Sequence, residues 1–396
     1  MYWMPIAPNL TRCTKENDPM KHYLLTGATG VVGSAVFRRL IKSGQRVTLL
    51  VRADSETHLT ERFKELLAYC ELPDQPRSRV CPIKADLYQP GFALAPDQYR
   101  MLLCRVTHIL HCAGNVTMGL PEEIARKQTM AMTKNIVSLM ERSRHVKKME
   151  YVSTVGVAGY TPNGICEKWI TDDLRVFRNS YEAAKACAET YLREKIKQVL
   201  NITVHRPSMV VGDSTTGKNI HFQVFYYLCE FLSGSATLGF LPDLGGMYLD
   251  VVPSDYVADL IYWASCQDQD LPRVLHASAG PAGSIDLNQL SERVRKLYLK
   301  NGRILPKSKR IPIPLYLLCV ALIKWGASKQ ARKSLNTLPF FLAYLKMPQH
   351  FINTRTRRIA AAGGIALPEI DGYLEPVLQY YLEKKKNKRL LTAKRP

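Results

Sequence analysis

The chain has 396 residues, 46% of them hydrophobic and 22% charged, with a formal net charge of +21. Those values exclude a disordered or low-complexity polypeptide and leave room for one large α/β unit with an appended part. From Arg293 onward there are 23 Lys or Arg against four acids, so nearly all of the positive excess sits in the last quarter.

Residues 1–20 read as an N-terminal extension without the basic start and apolar run of a secretory leader. The ten cysteines stand singly, with no C-x-x-C pair and no Cys/His spacing of a zinc site; this predicts reduced thiols in a cytoplasmic setting and no metal. From residue 21, short apolar runs alternate with longer amphipathic ones. Strands are expected at 22–26, 46–51, 79–85, 106–112, 148–154 and 202–211, with helices near 31–43, 55–70, 121–143 and 179–198. That rhythm predicts right-handed βαβ crossovers and a doubly wound parallel sheet over 21–212. Residues 213–300 read as a smaller, lid-like substrate region interleaved with the last strands, containing a helix near 286–300. Residues 301–396 read as a basic helical segment whose end, "KKKNKRLLTAKRP", is expected to fray.

The stretch "LLTGATGVVGSAVFRRL" (24–40) passes from a strand through glycines into a helix. In its G-x-x-G-x-x-G spacing, Gly27 permits the tight turn, Gly30 lets backbone approach a pyrophosphate, and Gly33 lets the helix pack close to the sheet. The loop Thr26, Gly27, Thr29, Gly30, Val31, Val32 and Gly33 is therefore expected to hold a dinucleotide at the helix N-terminus. Arg52, at the end of the second strand, suits a ribose 2′-phosphate and favours NADPH, with Arg62 as a candidate second contact; nearby Asp54 keeps NADH open. Asp86 and Leu87 in "KADL" are placed to meet adenine. Cys112, Ala113 and Gly114 put small residues beside the cofactor.

Carbonyl reduction needs a proton donor, and a tyrosine serves if a cation stabilises its phenolate. Tyr and Lys recur at i and i+4 in four places: Tyr181/Lys185, Tyr191/Lys195, Tyr380/Lys384 and Tyr381/Lys385. Only Tyr181 opens the helix after the fifth strand, at the carboxyl edge where such sheets bind ligands, so Tyr181 and Lys185 are the expected pair.

In order, "TGATGVVG", "YVSTVGVAG", "NSYEAAKACAE" and "HRPSMVVGDSTTG" resemble the extended short-chain dehydrogenase/reductases, and specifically their fatty acyl-CoA reductase and thioester reductase branch. The resemblance covers about residues 21–265 and implies a Rossmann-type sheet and a Thr154–Tyr181–Lys185 catalytic set, with Pro207 and Ser208 bordering the nicotinamide. Strand alternation points Ser153 away from Thr154. Thr129 stands where many relatives carry a structural Asn behind the lysine. The implied reaction is hydride transfer from NADPH to a thioester of coenzyme A or an acyl carrier protein. Tyr181 protonates the oxygen, Thr154 bonds the oxyanion, and Lys185 holds the ribose and keeps the tyrosine acidic. An aldehyde results, or an alcohol after a second round.

The basic last quarter suits an anionic membrane surface, an acidic carrier protein or coenzyme A phosphates better than nucleic acid, for which no motif is present. Residues 311–327, with Leu315, Leu317, Leu318, Val320, Leu322 and Trp325 flanked by lysines, are too short to cross a bilayer and suit a helix lying in its interface, or one covering the substrate pocket. Two other readings stay open: an extended reductase acting on a nucleotide sugar or 3β-hydroxysteroid, and a non-catalytic NADPH-binding scaffold. Oligomeric state is not read from the sequence.

Overall fold

The computed structural model describes residues 21–72, 79–117, 119–161, 164–171, 174–198, 200–267, 271–318 and 350–393. Seven parallel strands form the central sheet: β1 (His22–Thr26), β2 (Arg46–Val51), β3 (Val80–Lys84), β4 (His108–His111), β5 (Lys148–Val152), β6 (Ile202–Pro207) and β11 (Val274–Ala277), in the order β11-β6-β5-β4-β1-β2-β3. β1, β4, β5 and β6 are almost wholly buried, as expected where helices cover both faces of a parallel sheet. The chain reverses its winding between β1 and β4, and the crevice beyond their carboxyl ends is where such sheets bind ligands.

The helices α1 (Val31–Lys42), α2 (Glu56–Cys70), α3 (Pro96–Arg105), α4 (Glu122–Arg142) and α5 (Ser180–Lys197) supply the crossovers. α1 turns Val36, Phe37 and Leu40 into the core, an i, i+1, i+4 stripe of helical period, and packs against α7 (Ser254–Cys266) on one face of the sheet. α4 and α5 pack together on the other face. The Asn179 side chain accepts the Glu182 N–H at 3.0 Å and caps α5, so Tyr181 lies in its first turn.

Beyond Gly212 the structure departs from the sequence reading in detail. The expected strand 202–211 is two: β6 ends at Pro207, which has no N–H for the ladder, and β7 (Met209–Val211) pairs instead with β10 (Val251–Pro253). β11 escaped notice because it is only four residues long and carries a histidine. α3 escaped because only Leu102 is buried, too thin a stripe for periodicity to show. A second core joins α6 (Val224–Leu232), α9 (Leu287–Lys300) and the helix Ile370–Ala393 around Phe225, Leu228, Val294, Tyr298, Val377 and Leu378. Between them lie β8 (Phe240–Pro242), β9 (Tyr248–Leu249), the one-turn α8 (Gly280–Gly283), β12 (Ile285–Asp286) and β13 (Lys309–Ile311). The segment expected to fray from Lys384 is helical through Ala393.

Five of the 23 cations from Arg293 onward are held in ion pairs among the described residues. Arg293 pairs with Asp371, Lys300 with Glu375, Arg310 with Glu292, and both Arg303 and Lys385 with Glu230. Of the apolar segment 311–327, Leu315, Leu317 and Leu318 are exposed while Tyr316 is buried, and residues 319–327 lie outside the described residues. Among the described residues no helix is long and apolar enough to cross a membrane.

Candidate active site

The glycine loop is built by contacts that exclude a side chain. Gly27 has φ of +75°, and a Cβ there would lie 2.6 Å from the Ala113 nitrogen; a Cβ on Gly33 would lie 2.0 Å from the Gly27 carbonyl oxygen. Thr26 Oγ1 meets His111 Nδ1 at 2.9 Å and accepts the Ala113 N–H at 3.4 Å, which ties the end of β1 to the end of β4. Gly30 caps α1 without a side-chain bond, and the helix has no acid in its first turn, so its N-terminal N–H groups and partial positive charge stay available. Val31 is buried and Val32 packs partly buried against the same core. These residues fit a dinucleotide pyrophosphate: the glycines pack strand, turn and helix backbone closely together, and no side chain takes the first N–H groups of α1.

Around that cradle the cations converge. The Arg62 guanidinium donates to the Arg52 carbonyl and to Thr29 Oγ1 (2.9 Å), which leaves three of its five N–H groups for another acceptor. Arg62 is thus held at the lip of the site and is not a freely solvated helix-face side chain. The Arg52 side chain is exposed, while Asp54 is exposed and turned toward His58 at 3.2 Å. Asp86 accepts the Tyr88 N–H (2.9 Å), and the Leu87 carbonyl accepts from Asn135 (2.9 Å), which fixes the turn after β3.

The sequence reading missed His221. A loop after β7 carries it across the molecule so that its Nε2–H donates to the Thr29 carbonyl at 3.1 Å. The same loop is latched by Arg38 to Asp213 and by Lys218 to Glu71. No spacing rule joins positions 29 and 221; only the fold does.

At the carboxyl end of β5, Ser153 and Thr154 diverge as alternation requires. The Ser153 hydroxyl is buried and donates to Glu189 (2.5 Å), which also pairs with the fully buried Arg206. Thr154 is half-buried, and its Oγ1 accepts the Gly156 N–H at 3.1 Å, leaving its hydroxyl hydrogen free to donate. Lys185, on α5 one turn beyond Tyr181, is buried; its Nζ donates to the Val152 carbonyl at 2.8 Å. Gly114 gives it room, since a Cβ there would sit 3.3 Å from Nζ. Burial lowers the Lys185 ammonium to about 8 against the opposing pull of Cys112 and Glu189, and burial pushes the Cys112 thiol up to about 12.

One expectation is corrected here. The Tyr181 phenol is not made acidic by its cation: burial raises it, and Tyr151 and Glu182 push the same way. A phenol so placed keeps its proton at neutral pH, which suits a donor. Pro207 closes β6, and the Ser208 N–H is held by the Ala277 carbonyl at 3.1 Å, so both stand at the strand end beside β5.

Residues 25–261, from β1 into α7, match a family model described as male sterility protein. Over 269 residues the chain is 27% identical to a subunit of the linear gramicidin synthase of Brevibacillus parabrevis, covering 66% of this chain and 5% of that protein. Over 312 residues it is 27% identical to aldehyde reductase lnaA of Aspergillus flavus, covering 74% and 29%. The chain thus spans well under two thirds of the length of these relatives. In fold it is similar to the terminal R domain from the myxalamid PKS-NRPS biosynthetic pathway, with a TM-score of 0.78 at 22% identity over 93% of this chain and 92% of that one. It is also similar to a thiolation-reductase di-domain from an archaeal non-ribosomal peptide synthetase, with a TM-score of 0.71 at 17% identity over 93% and 76%. The family match contains the glycine loop, Thr154, Tyr181 and Lys185 together, and the chain belongs to the male sterility protein family of nicotinamide-binding, extended short-chain dehydrogenase/reductases.

Proposed function

We propose that this oxidoreductase uses NADPH to reduce an acyl thioester, carried by coenzyme A or by an acyl carrier protein, to an aldehyde or onward to an alcohol. The observation that carries the reading is that Thr154 lies just past the end of β5, that Lys185 on α5 donates to the Val152 carbonyl at that same strand end, and that Tyr181 lies one turn before Lys185 on the same helix. When bound, the nicotinamide supplies the hydride. Thr154 donates to the carbonyl oxygen as negative charge develops there, and Tyr181 delivers its proton to that oxygen. Lys185 keeps two N–H donors beyond the one given to Val152, for the ribose hydroxyls and the Tyr181 oxygen. Arg52 and Arg62 favour a 2′-phosphate, which supports NADPH over NADH.

The carrier-protein alternative draws support from the gramicidin synthase relative and from the thiolation-reductase likeness. The described cysteines are all free thiols, in keeping with a reducing cytoplasmic compartment. The test is product mass spectrometry with NADPH and a panel of octanoyl-CoA and octanoyl-carrier protein, on the wild type and Tyr181→Phe. The variant is expected to lose about 10²- to 10⁴-fold in rate while still binding NADPH. Undiminished turnover in the variant, or turnover only of a nucleotide sugar or hydroxysteroid, overturns the reading.

A further inference from the structure

Lys185 poses a problem of charge. It is buried, and its hydrogen bond to the Val152 carbonyl leaves most of the ammonium's desolvation uncompensated. Thr129, on the neighbouring α4, is also buried, and its carbonyl is taken up by the Thr133 hydroxyl at 2.8 Å.

Other groups around Nζ offset that burial only in part, since the ammonium is still lowered. The Cys112 thiol and the His111 imidazole, on the β4 side, are neutral; burial, with Lys185 adding to it, holds His111 down at about 3. Tyr181, on the lysine's own helix, is a neutral phenol. Glu189, one turn further along α5, is already bound by Ser153 and Arg206. What remains is the face of Tyr151, whose ring centroid lies 4.9 Å from Nζ.

That ring is fixed from both sides. The parallel register sets His111 directly beside Tyr151, and their rings stack at 5.0 Å and 25°. Tyr151 Oη lies 2.9 Å from Thr133 Oγ1, and because Thr133 spends its hydrogen on the Thr129 carbonyl, the phenol must be the donor. The ring is wholly buried. An aromatic face within 6 Å of a desolvated ammonium stabilises its charge.

We propose that Tyr151 is a positioning residue: its ring face, held by His111 and Thr133, keeps the Lys185 ammonium charged and aimed at the cofactor side of the sheet. The proposal rests on the reading of Lys185 as a cofactor-holding residue. Losing the ring face removes stabilisation of the charged form, so Lys185 gives up its proton at lower pH.

The test follows NADPH affinity by fluorescence titration across pH 6–10 on the full chain, with thermal melts as a folding check. Tyr151→Leu is expected to move the alkaline limb of binding down by about one pH unit, while Tyr151→Phe, which keeps the face, leaves it in place. Pentafluorophenylalanine at position 151 keeps the shape and reverses the ring's polarity, so it should shift the limb like leucine even if the leucine variant does not fold. An unmoved limb in the fluorinated protein, or equal shifts with phenylalanine and leucine, overturns the proposal. Lys185→Met separates the two levels. A limb that vanishes there but stays fixed in the fluorinated protein sinks only the role of Tyr151; a limb that survives sinks the reading of Lys185 as well.

Discussion

An alanine at position 33 would set its Cβ 2.0 Å from the Gly27 carbonyl oxygen, a contact that only backbone movement relieves. Gly33→Ala is therefore expected to cost more than about 3 kcal/mol in denaturant melts and to abolish NADPH binding, because helix and turn must separate. Gly246→Ala, at a φ of +76° with nothing near its Cβ, is the control and is expected to cost about 1 kcal/mol and spare binding. At this scale the sequence is informative where function is local. The glycine spacing predicts the tight turn that Gly27 and Gly33 make, and Lys185 reaches the end of β5 as its place on the following helix implies. His111 and Tyr151 are silent, since they are 40 positions apart and become neighbours only through the register of β4 on β5. Arg62 is a candidate from the sequence, but the bond to Thr29 that anchors it comes only with the fold.

The loop between β7 and α6 behaves as a clasp on the glycine-rich turn after β1. Burial pushes the Asp213 carboxyl up, but the Thr216 N–H and hydroxyl and the Arg38 guanidinium outweigh it and hold the group below the usual carboxylate range. Asp213 Oδ1 accepts both the Thr216 N–H and its hydroxyl at 2.9 Å, Oδ2 takes Arg38, and His221 ends the loop on Thr29. Asp213→Ala leaves the two Thr216 donors and Arg38 without that acceptor, and is expected to cost about 2 kcal/mol. It should also speed hydrogen exchange at residues 212–221 and weaken NADPH by several-fold; Asp213→Asn, which keeps an oxygen for the turn, should fall between. Unchanged exchange in the alanine variant would mean that the loop is held elsewhere. The sequence marks this element only as the point where the βα rhythm stops. Periodicity reports which face of an element is buried, and a loop that acts through side-chain latches has no period.

One buried carboxylate lies where the two cores meet, and it gives the molecule a pH dependence of definite sign. Asp250, between β9 and β10, is buried and accepts the Ala279 N–H (2.7 Å) and the Gly280 N–H (2.9 Å) just after β11, while the Met209 N–H binds its carbonyl from β7. Burial raises its pKa to about 6, against the hydrogen bonds that oppose it. The folded state therefore binds this proton more tightly than the unfolded chain, whose aspartate titrates near ~3.9. Between those values the folded form holds more protons, and stability must fall as pH rises. Asp250's contribution is complete below about pH 3, falls as pH rises through the folded pKa and is lost by about pH 7, on the order of 3 kcal/mol over that whole range. Asp250→Asn cannot titrate, so the difference in unfolding free energy between it and the wild type should change by about 2 kcal/mol from pH 4 to 6 and level off above about pH 7, whatever constant cost the amide brings. A difference that is level throughout, measured by urea melts at half-unit steps, would show that the carboxylate titrates alike in both states and does not couple the cores to pH.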